Sequence, residues 1–104
     1  MKITTVGGRG TTLLVKVAGD VADPPDADSL YETIGAEVRR GASAVDMDLS
    51  DVEILTSVGI DALLKAKAAG AERGCPLIVV AASPIVRRVF EVTGLVGHFG
   101  LGDG

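Results

Sequence analysis

The chain has little of what most metal, redox and nucleic-acid sites require. Its 104 residues include one cysteine, one histidine, three aromatic side chains and no tryptophan. One cysteine cannot form an internal disulfide, and one histidine cannot assemble a metal cluster or a Ser-His-acid triad within the chain. Three aromatic rings also leave no platform on which bases can stack. We therefore predict a protein that is not an enzyme, with no catalytic residues, metal or cofactor.

Clusters of basic residues and long apolar runs are also missing. The formal net charge is −4, and the Lys and Arg residues form no cluster, so direct binding to nucleic acid is not expected. No apolar run approaches the roughly 20 residues that a membrane-spanning helix needs. The first residues, "MKITTVGGRG", lack the apolar stretch of a secretory signal. These absences predict a soluble, cytoplasmic protein that does not insert into membranes.

The first half of the chain predicts a hairpin followed by a helix. Residues 2–6, "KITTV", and residues 11–18, "TTLLVKVA", are rich in β-branched residues, flank the turn "GGRG" and end before Gly19. After the Asp- and Pro-rich stretch "DVADPPDADS", a helix is expected to begin near Asp26 and to be capped at Gly41. Its inward stripe at i, i+3, i+4 and i+7 spacing comprises Ala27, Leu30, Tyr31, Ile34 and Val38.

The second half predicts two strand–helix pairs. Residues 44–49, "AVDMDL", alternate apolar and acidic side chains as a half-buried strand does, and a helix is expected over residues 58–73. The next run, "LIVVAA", is typical of a strand that is buried on both faces. Ser83 and Pro84 predict the N-cap and first turn of a short third helix that ends at Gly94. The inward stripe of the second helix is expected to comprise Ile60, Leu63, Leu64, Ala68 and Ala71.

Strands that alternate with helices predict an α/β fold. We expect a mixed β-sheet with an N-terminal antiparallel hairpin, parallel β-α-β units and helices packed mainly on one side. The length is typical of one domain, so a single domain is predicted over residues 1–104, with its core at about 10–96. The glycine-rich tail, residues 97–104, is expected to fray or to add a short strand near His98 and Phe99.

The stretch "EILTSVGIDALL" places Ser57 at the corner between a strand and a helix. The simplest interpretation is an N-cap, in which the Ser57 hydroxyl accepts a hydrogen bond from a backbone N–H two or three residues on. A second interpretation is a switch, because the partial positive charge and unpaired N–H groups of a helix start suit an added phosphate. The residues alone leave both interpretations open.

Three segments occur in the order and spacing of one known family. Residues 45–64, "VDMDLSDVEILTSVGIDALL", run from a strand through the corner into a helix. Before them, "GD" at residues 19–20 precedes a helix, and after them "AASPIVRRVFEVTGL" combines a strand, Ser-Pro and a helix. Together these segments, over residues 10–96, resemble the bacterial anti-sigma-factor antagonists, which are small single STAS domains. The resemblance implies the STAS fold and a regulator of transcription.

The resemblance also implies a phosphorylation site at the corner. In that family a serine at this place is phosphorylated by a partner serine kinase, of the ATP-binding histidine-kinase-like type, which is itself the anti-sigma factor. The matching residue is Ser57, with Thr56 as the alternative acceptor. The unphosphorylated antagonist holds the anti-sigma factor, and the phosphorylated form lets go. Thr56 stands where the family usually has Asp, and Val58 where it often has a second Ser, so the surroundings of the acceptor differ.

The implied partner-binding surface surrounds this corner. An acidic loop and the start of the second helix supply its residues, which are Asp20, Asp23, Thr56, Ser57, Val58, Gly59, Ile60 and Asp61. An alternative keeps the fold and changes the partner, with the chain as a non-phosphorylated STAS scaffold or subunit in a stress-signalling complex or a lipid-transport ATPase. A monomer or a weak dimer is expected.

The remaining candidate residues have simpler interpretations. Cys75 precedes a proline in a loop, where an exposed thiol is redox-sensitive, but a lone cysteine is more often a small apolar residue. His98 is expected on the surface or at a strand end. The position of Ser83 is explained by capping alone.

Overall fold

The computed structural model describes residues 1–7 and 12–101. Strands and helices alternate along the chain after an initial hairpin, which confirms the predicted α/β class. The elements are β1 (Lys2–Gly7), β2 (Thr12–Val21), α1 (Pro24–Arg39), β3 (Ala44–Leu55), α2 (Ser57–Glu72), β4 (Leu77–Ala82) and α3 (Pro84–Thr93). Most of the predicted turn "GGRG" lies outside the described residues. Strand β2 runs through Gly19 to Val21, beyond its predicted end, because its last residues pair with the long β3.

The four strands form one mixed sheet in the order β1-β2-β3-β4. Strands β1 and β2 are antiparallel, and β2–β3 and β3–β4 are parallel, as the sequence predicts. Val15, Met47 and Val79 lie side by side across three strands and are fully buried, and they share one core with apolar residues of the three helices. The helices therefore pack on one side of the sheet.

The other side of the sheet is open to solvent. Val80 is 48% exposed and Ile78 is 41% exposed, although both belong to the continuous apolar run of β4. The prediction that β4 is buried on both faces is therefore wrong. Its alternate residues Leu77 and Val79 enter the core, and no described helix covers the opposite face.

Helix α1 begins two residues before the predicted start because Asp23 caps it. The Asp23 side chain accepts a hydrogen bond from the Asp26 backbone N–H at 3.3 Å, and two prolines occupy the first helical positions. Four of the five predicted inward residues are buried, but Tyr31 is 40% exposed, so its assignment to the core is wrong. Tyr31 instead lines a groove between α1 and α2, where its side chain stays open to solvent.

Helix α2 turns a face of small residues inward, which the sequence analysis did not predict. Ile60 and Leu64 are half-buried at the flanks, and Ala68 is exposed, as is Ala71. Of the predicted stripe only Leu63 is fully buried. Small side chains let the helix approach its neighbours closely, and this geometry outweighs the larger apolar residues. The buried residues of α2 are Gly59, Ala62, Leu63, Ala66 and Gly70.

Ser83 caps α3 as predicted and also ties the helix to the sheet. Its hydroxyl accepts from the Val86 backbone N–H at 3.3 Å and donates to the Val52 carbonyl on β3 at 2.7 Å. The side chain is buried, so both bonds are shielded from water. Gly94 ends the helix in the left-handed region at φ +73°.

Ser83→Ala is expected to lower the free energy of unfolding by about 1–3 kcal/mol, because it removes a cap and leaves a buried carbonyl without its donor. Urea unfolding followed by circular dichroism measures the change. Ser29→Ala, at an exposed position within α1, is the matched control and should shift stability by less than about 0.5 kcal/mol. Equal losses in both variants would contradict the structural role of Ser83.

The tail packs against the core as far as residue 101. Phe99 is fully buried, its ring stacks on Phe90 with centroids 5.2 Å apart, and Leu101 is also buried. The Phe99 carbonyl accepts from the Val79 backbone N–H at 2.8 Å, which covers part of the outer edge of β4. The predicted fraying is therefore wrong for residues 97–101, which form turns and no strand. Residues 102–104 lie outside the described part of the chain.

Candidate functional site

The corner between β3 and α2 is fixed by the end of β2. Val21 pairs in register with Leu55, and the Thr56 backbone N–H donates to the Val21 carbonyl at 3.2 Å. The Thr56 hydroxyl donates to the Ala22 carbonyl at 2.9 Å. These bonds attach the segment between β2 and α1 to the first turn of α2. The acidic loop and the helix start are therefore neighbours, as the sequence resemblance implies.

Thr56, and not Ser57, is the N-cap residue of α2. Thr56 has extended backbone angles (φ −99°, ψ 175°), and the helix begins at Ser57. The N-cap interpretation of Ser57 is therefore wrong by one position. The Thr56 hydroxyl does not cap the helix either, because it is turned toward Ala22 and makes no bond to the first turn. The amides at the start of α2 receive no side-chain cap.

Ser57 is exposed at this uncapped helix start. No hydrogen bond of its hydroxyl is found within residues 1–7 and 12–101, and the first turn of α2 carries no acidic residue. The N–H groups and the partial positive charge of the helix end therefore meet solvent beside a free alcohol. Chemically, this arrangement suits the addition of a phosphate to Ser57.

Three carboxylates lie on the elements that meet at the corner. Asp20 lies near the end of β2, Asp23 caps α1, and Asp61 lies one turn into α2, all three exposed. Partial burial, together with the neighbouring Asp23 carboxylate, raises the pKa of Asp26 above its usual value. Crowded acids of this kind give the surface a local negative charge, which favours a partner with a positive one.

The predicted surface residues of α2 divide into exposed and buried groups. Val58 is 37% exposed and Ile60 is half-buried, so both are accessible at the surface. Gly59 is buried, and a Cβ there would lie 2.7 Å from the Val21 carbonyl oxygen. The structure therefore corrects the expectation that Gly59 lies on the binding surface. Gly59 lets α2 pack against the end of β2 and so positions its neighbours.

A groove between α1 and α2 runs beside the corner, and the sequence analysis missed it. Its volume is about 430 Å³, and Lys65 on its rim forms an ion pair with Asp61, four residues earlier in α2, at 3.0 Å. A groove between two helices depends on their packing, so periodicity within one helix gives no signal for it. We call it the α1–α2 groove. Its lining residues are Pro24, Ala27, Asp28, Tyr31, Val58, Asp61, Ala62 and Lys65.

A cavity of about 460 Å³ lies at the opposite end of α2, lined mainly by apolar and glycine residues of α2, the loop that follows it, β4 and the tail. It is larger than the groove but far from the corner. In the described part of the chain, no group of three or more His, Cys, Asp and Glu is placed to hold a metal ion. Of the described helices, none is both long and apolar enough to span a membrane.

Cys75 is buried, with 1% of its surface exposed, so the exposed thiol considered from the sequence is not present. Loss of solvent raises the pKa of the Cys75 thiol above its usual value, which disfavours the reactive thiolate.

We expect the Cys75 thiol of the folded protein to react with a thiol reagent at least about a hundredfold more slowly than that of the protein in urea. Absorbance of the released thionitrobenzoate measures both rates. Equal rates would contradict the packing at the start of β4.

Comparison with known proteins identifies the family of this chain. A family profile described as "Mlab, STAS domain" matches residues 4–101. The chain therefore belongs to the STAS-domain family. The relatives of known structure include anti-sigma factor antagonists. No match is found among curated proteins.

One of these structures is an anti-sigma factor antagonist from Mycobacterium paratuberculosis, 36% identical over 99% of this chain and 87% of that chain, with a TM-score of 0.73. The anti-sigma factor antagonist SpoIIAA in its unphosphorylated form is 16% identical over 86% of this chain and 82% of that chain, with a TM-score of 0.70. The Bacillus cell fate determinant SpoIIAA in the phosphorylated form is 19% identical over 94% of this chain and 87% of that chain, with a TM-score of 0.70. The two SpoIIAA structures share the fold.

Proposed function

We propose that this chain is an anti-sigma-factor antagonist of bacteria that acts in the cytoplasm and regulates transcription by partner switching. Its partner is an anti-sigma factor that is also an ATP-binding serine kinase of the histidine-kinase-like type. The chain binds this partner and carries out no reaction itself. The observation that carries the proposal is the exposed Ser57 hydroxyl at the uncapped start of α2.

The geometry favours Ser57 over Thr56 as the phosphate acceptor. The Thr56 hydroxyl is half-buried and bonded to the Ala22 carbonyl, so a kinase reaches it only by opening the corner. The Ser57 hydroxyl needs no such rearrangement. Thr56 holds the corner without a charge. The negative potential at the site comes instead from Asp20 and Asp23, because Asp61 is paired with Lys65.

In the unphosphorylated state, the start of α2 and the acidic loop contact the anti-sigma factor, which then releases sigma. Phosphorylation adds about −1.5 to −2 charge units at Ser57, among carboxylates that already repel it. Within a contact with the partner, this phosphate loses its solvation, and the cost of that desolvation favours dissociation. Phosphorylation therefore returns the partner to sigma.

The proposal is tested by measuring binding to each anti-sigma kinase that the same genome encodes. Titration calorimetry with purified chain and kinase, in the presence of ADP or ATP, gives the affinity. Competition with sigma shows whether the chain displaces sigma from the kinase. We expect one kinase to bind the chain in competition with its sigma factor. Asp51→Asn, on β3 away from the corner, serves as a control variant that keeps binding. If every kinase fails to bind, the proposed function is wrong.

A second candidate function keeps the fold and replaces the partner. Thr56 lacks the carboxylate that the antagonists usually carry before the acceptor, which favours a non-phosphorylated scaffold or a subunit of a stress-signalling complex or lipid-transport ATPase. In that case a transporter ATPase or a scaffold protein co-purifies with the chain from its own cells, and no kinase in the panel modifies it.

A further inference from the structure

The α1–α2 groove extends the exposed surface beyond Ser57. We propose that the groove takes a basic amphipathic segment of the anti-sigma-factor partner, with apolar side chains between the helices and Lys or Arg side chains against the rim. This inference rests on the proposed function. It specifies the side chains that the partner has to present. It also adds a contact, in the groove, that does not include Ser57.

The floor and walls of the groove are apolar. Ala27 and Ala62 are buried at its base, and Tyr31 and Val58 are two of the large hydrophobic side chains that the folded chain leaves exposed. Tyrosine is enriched where binding energy concentrates, because its ring buries a large area at low cost in conformational entropy. The volume of about 430 Å³ lies in the range of binding pockets. The groove therefore suits apolar anchors.

The rim of the groove carries a net negative charge. Asp28 lies on α1 and Asp61 on α2, and Asp23 and Asp26 lie at the same end of α1. Among the described residues that line the groove, Lys65 is the only cation, and its Nζ is held 3.0 Å from Asp61. A partner with Lys or Arg beside its apolar anchors is complementary to this charge. An acidic partner, a nucleic acid or an anionic membrane is repelled.

The groove is also continuous with the corner. Val58 belongs both to the groove lining and to the first turn of α2, directly after Ser57. A segment lying in the groove therefore brings the partner to the hydroxyl that its kinase modifies. The open face of the sheet has no comparable arrangement, because two lysines balance two aspartates in the pocket on that face.

Two pairs of variants test the groove. Tyr31→Ala removes an anchor and is matched by Val80→Ala, a similarly exposed apolar residue on the open sheet face. Asp28→Lys reverses a rim charge and is matched by Asp51→Lys, an exposed residue with the same change in net charge. Each variant is titrated against the kinase that binds the wild-type chain. We expect about tenfold weaker binding for the two groove variants and less than about twofold change for the controls.

The possible outcomes separate this inference from the proposed function. Equal affinities for groove and control variants overturn the groove and leave the Ser57 switch intact. Failure of every kinase to bind the wild-type chain overturns the proposed function and the groove together. A photo-crosslinking benzoylphenylalanine at position 31, compared with position 80, gives a second readout. It should link a kinase segment rich in Lys, Arg and apolar residues, and a link to an acidic segment overturns the proposed charge complementarity.

Discussion

Phosphoserine at position 57 is expected to weaken binding to the anti-sigma kinase by about a thousandfold, which corresponds to roughly 4 kcal/mol. The added phosphate lies at the exposed start of α2, within the proposed contact with the partner. Asp20 and Asp23 supply like charge beside it. Binding the phosphorylated chain therefore requires burial of a charge that the partial positive charge of one helix start offsets only in part.

Genetic incorporation of phosphoserine gives a homogeneous protein for this measurement, and titration calorimetry gives the affinity. Phosphoserine at the exposed Ser50 on β3 is the matched control, because it adds the same charge away from the corner. The control is expected to bind within about tenfold of the unmodified chain. If both phosphoproteins lose affinity equally, net charge and not the position of Ser57 controls binding.

Gly59→Ala is expected to lower the free energy of unfolding by about 1–3 kcal/mol and to weaken partner binding. The new Cβ lies 2.7 Å from the Val21 carbonyl oxygen and 2.8 Å from the Leu55 Cδ1 atom, so α2 has to move away from the end of β2. The same movement displaces Ser57 and Val58. Stability and the geometry of the binding surface are therefore linked through one glycine.

Gly35→Ala within α1 is the matched control for this substitution. A Cβ at Gly35 meets only the flexible Arg39 side chain, at 3.2 Å. Removal of a glycine from a helix should then stabilise the protein by up to about 1 kcal/mol. Urea unfolding of both variants, followed by circular dichroism, shows whether each substitution raises or lowers the free energy of unfolding. A stabilised Gly59→Ala protein would contradict the close packing of α2 on β2.

Local signals in the sequence were enough to place most of the fold. Asp23 before two prolines and Ser83 before Pro84 each carry a complete N-cap signal, and the structure shows both caps. Burial that depends on distant elements was not predictable in this way. The apolar run of β4 is compatible with burial on one face or on two. Only one face is buried, because the described helices pack on one side of the sheet. Likewise, Phe99 is buried because it meets Phe90, which no local pattern indicates.

The corner between β3 and α2 was predictable in place but not in detail. The resemblance located the corner, and Ser57 is exposed there as the switch interpretation requires. Ser57 and Thr56 both have side chains that cap helices, so the sequence could not tell which of them precedes the helix. The structure assigns the cap to Thr56 because its hydroxyl and backbone N–H both bond to the end of β2. The groove at Tyr31 needs two helices in contact and was therefore missed.

The most direct test of the switch is to find which hydroxyl the partner kinase modifies. The chain is incubated with the kinase and ATP, and the phosphate is located by tandem mass spectrometry, with Ser57→Ala as the control. The exposed corner predicts phosphate on Ser57 alone and none in the Ser57→Ala protein. Phosphate on Thr56 or at a distant residue, or an unmodified chain bound tightly to an active kinase, would contradict it.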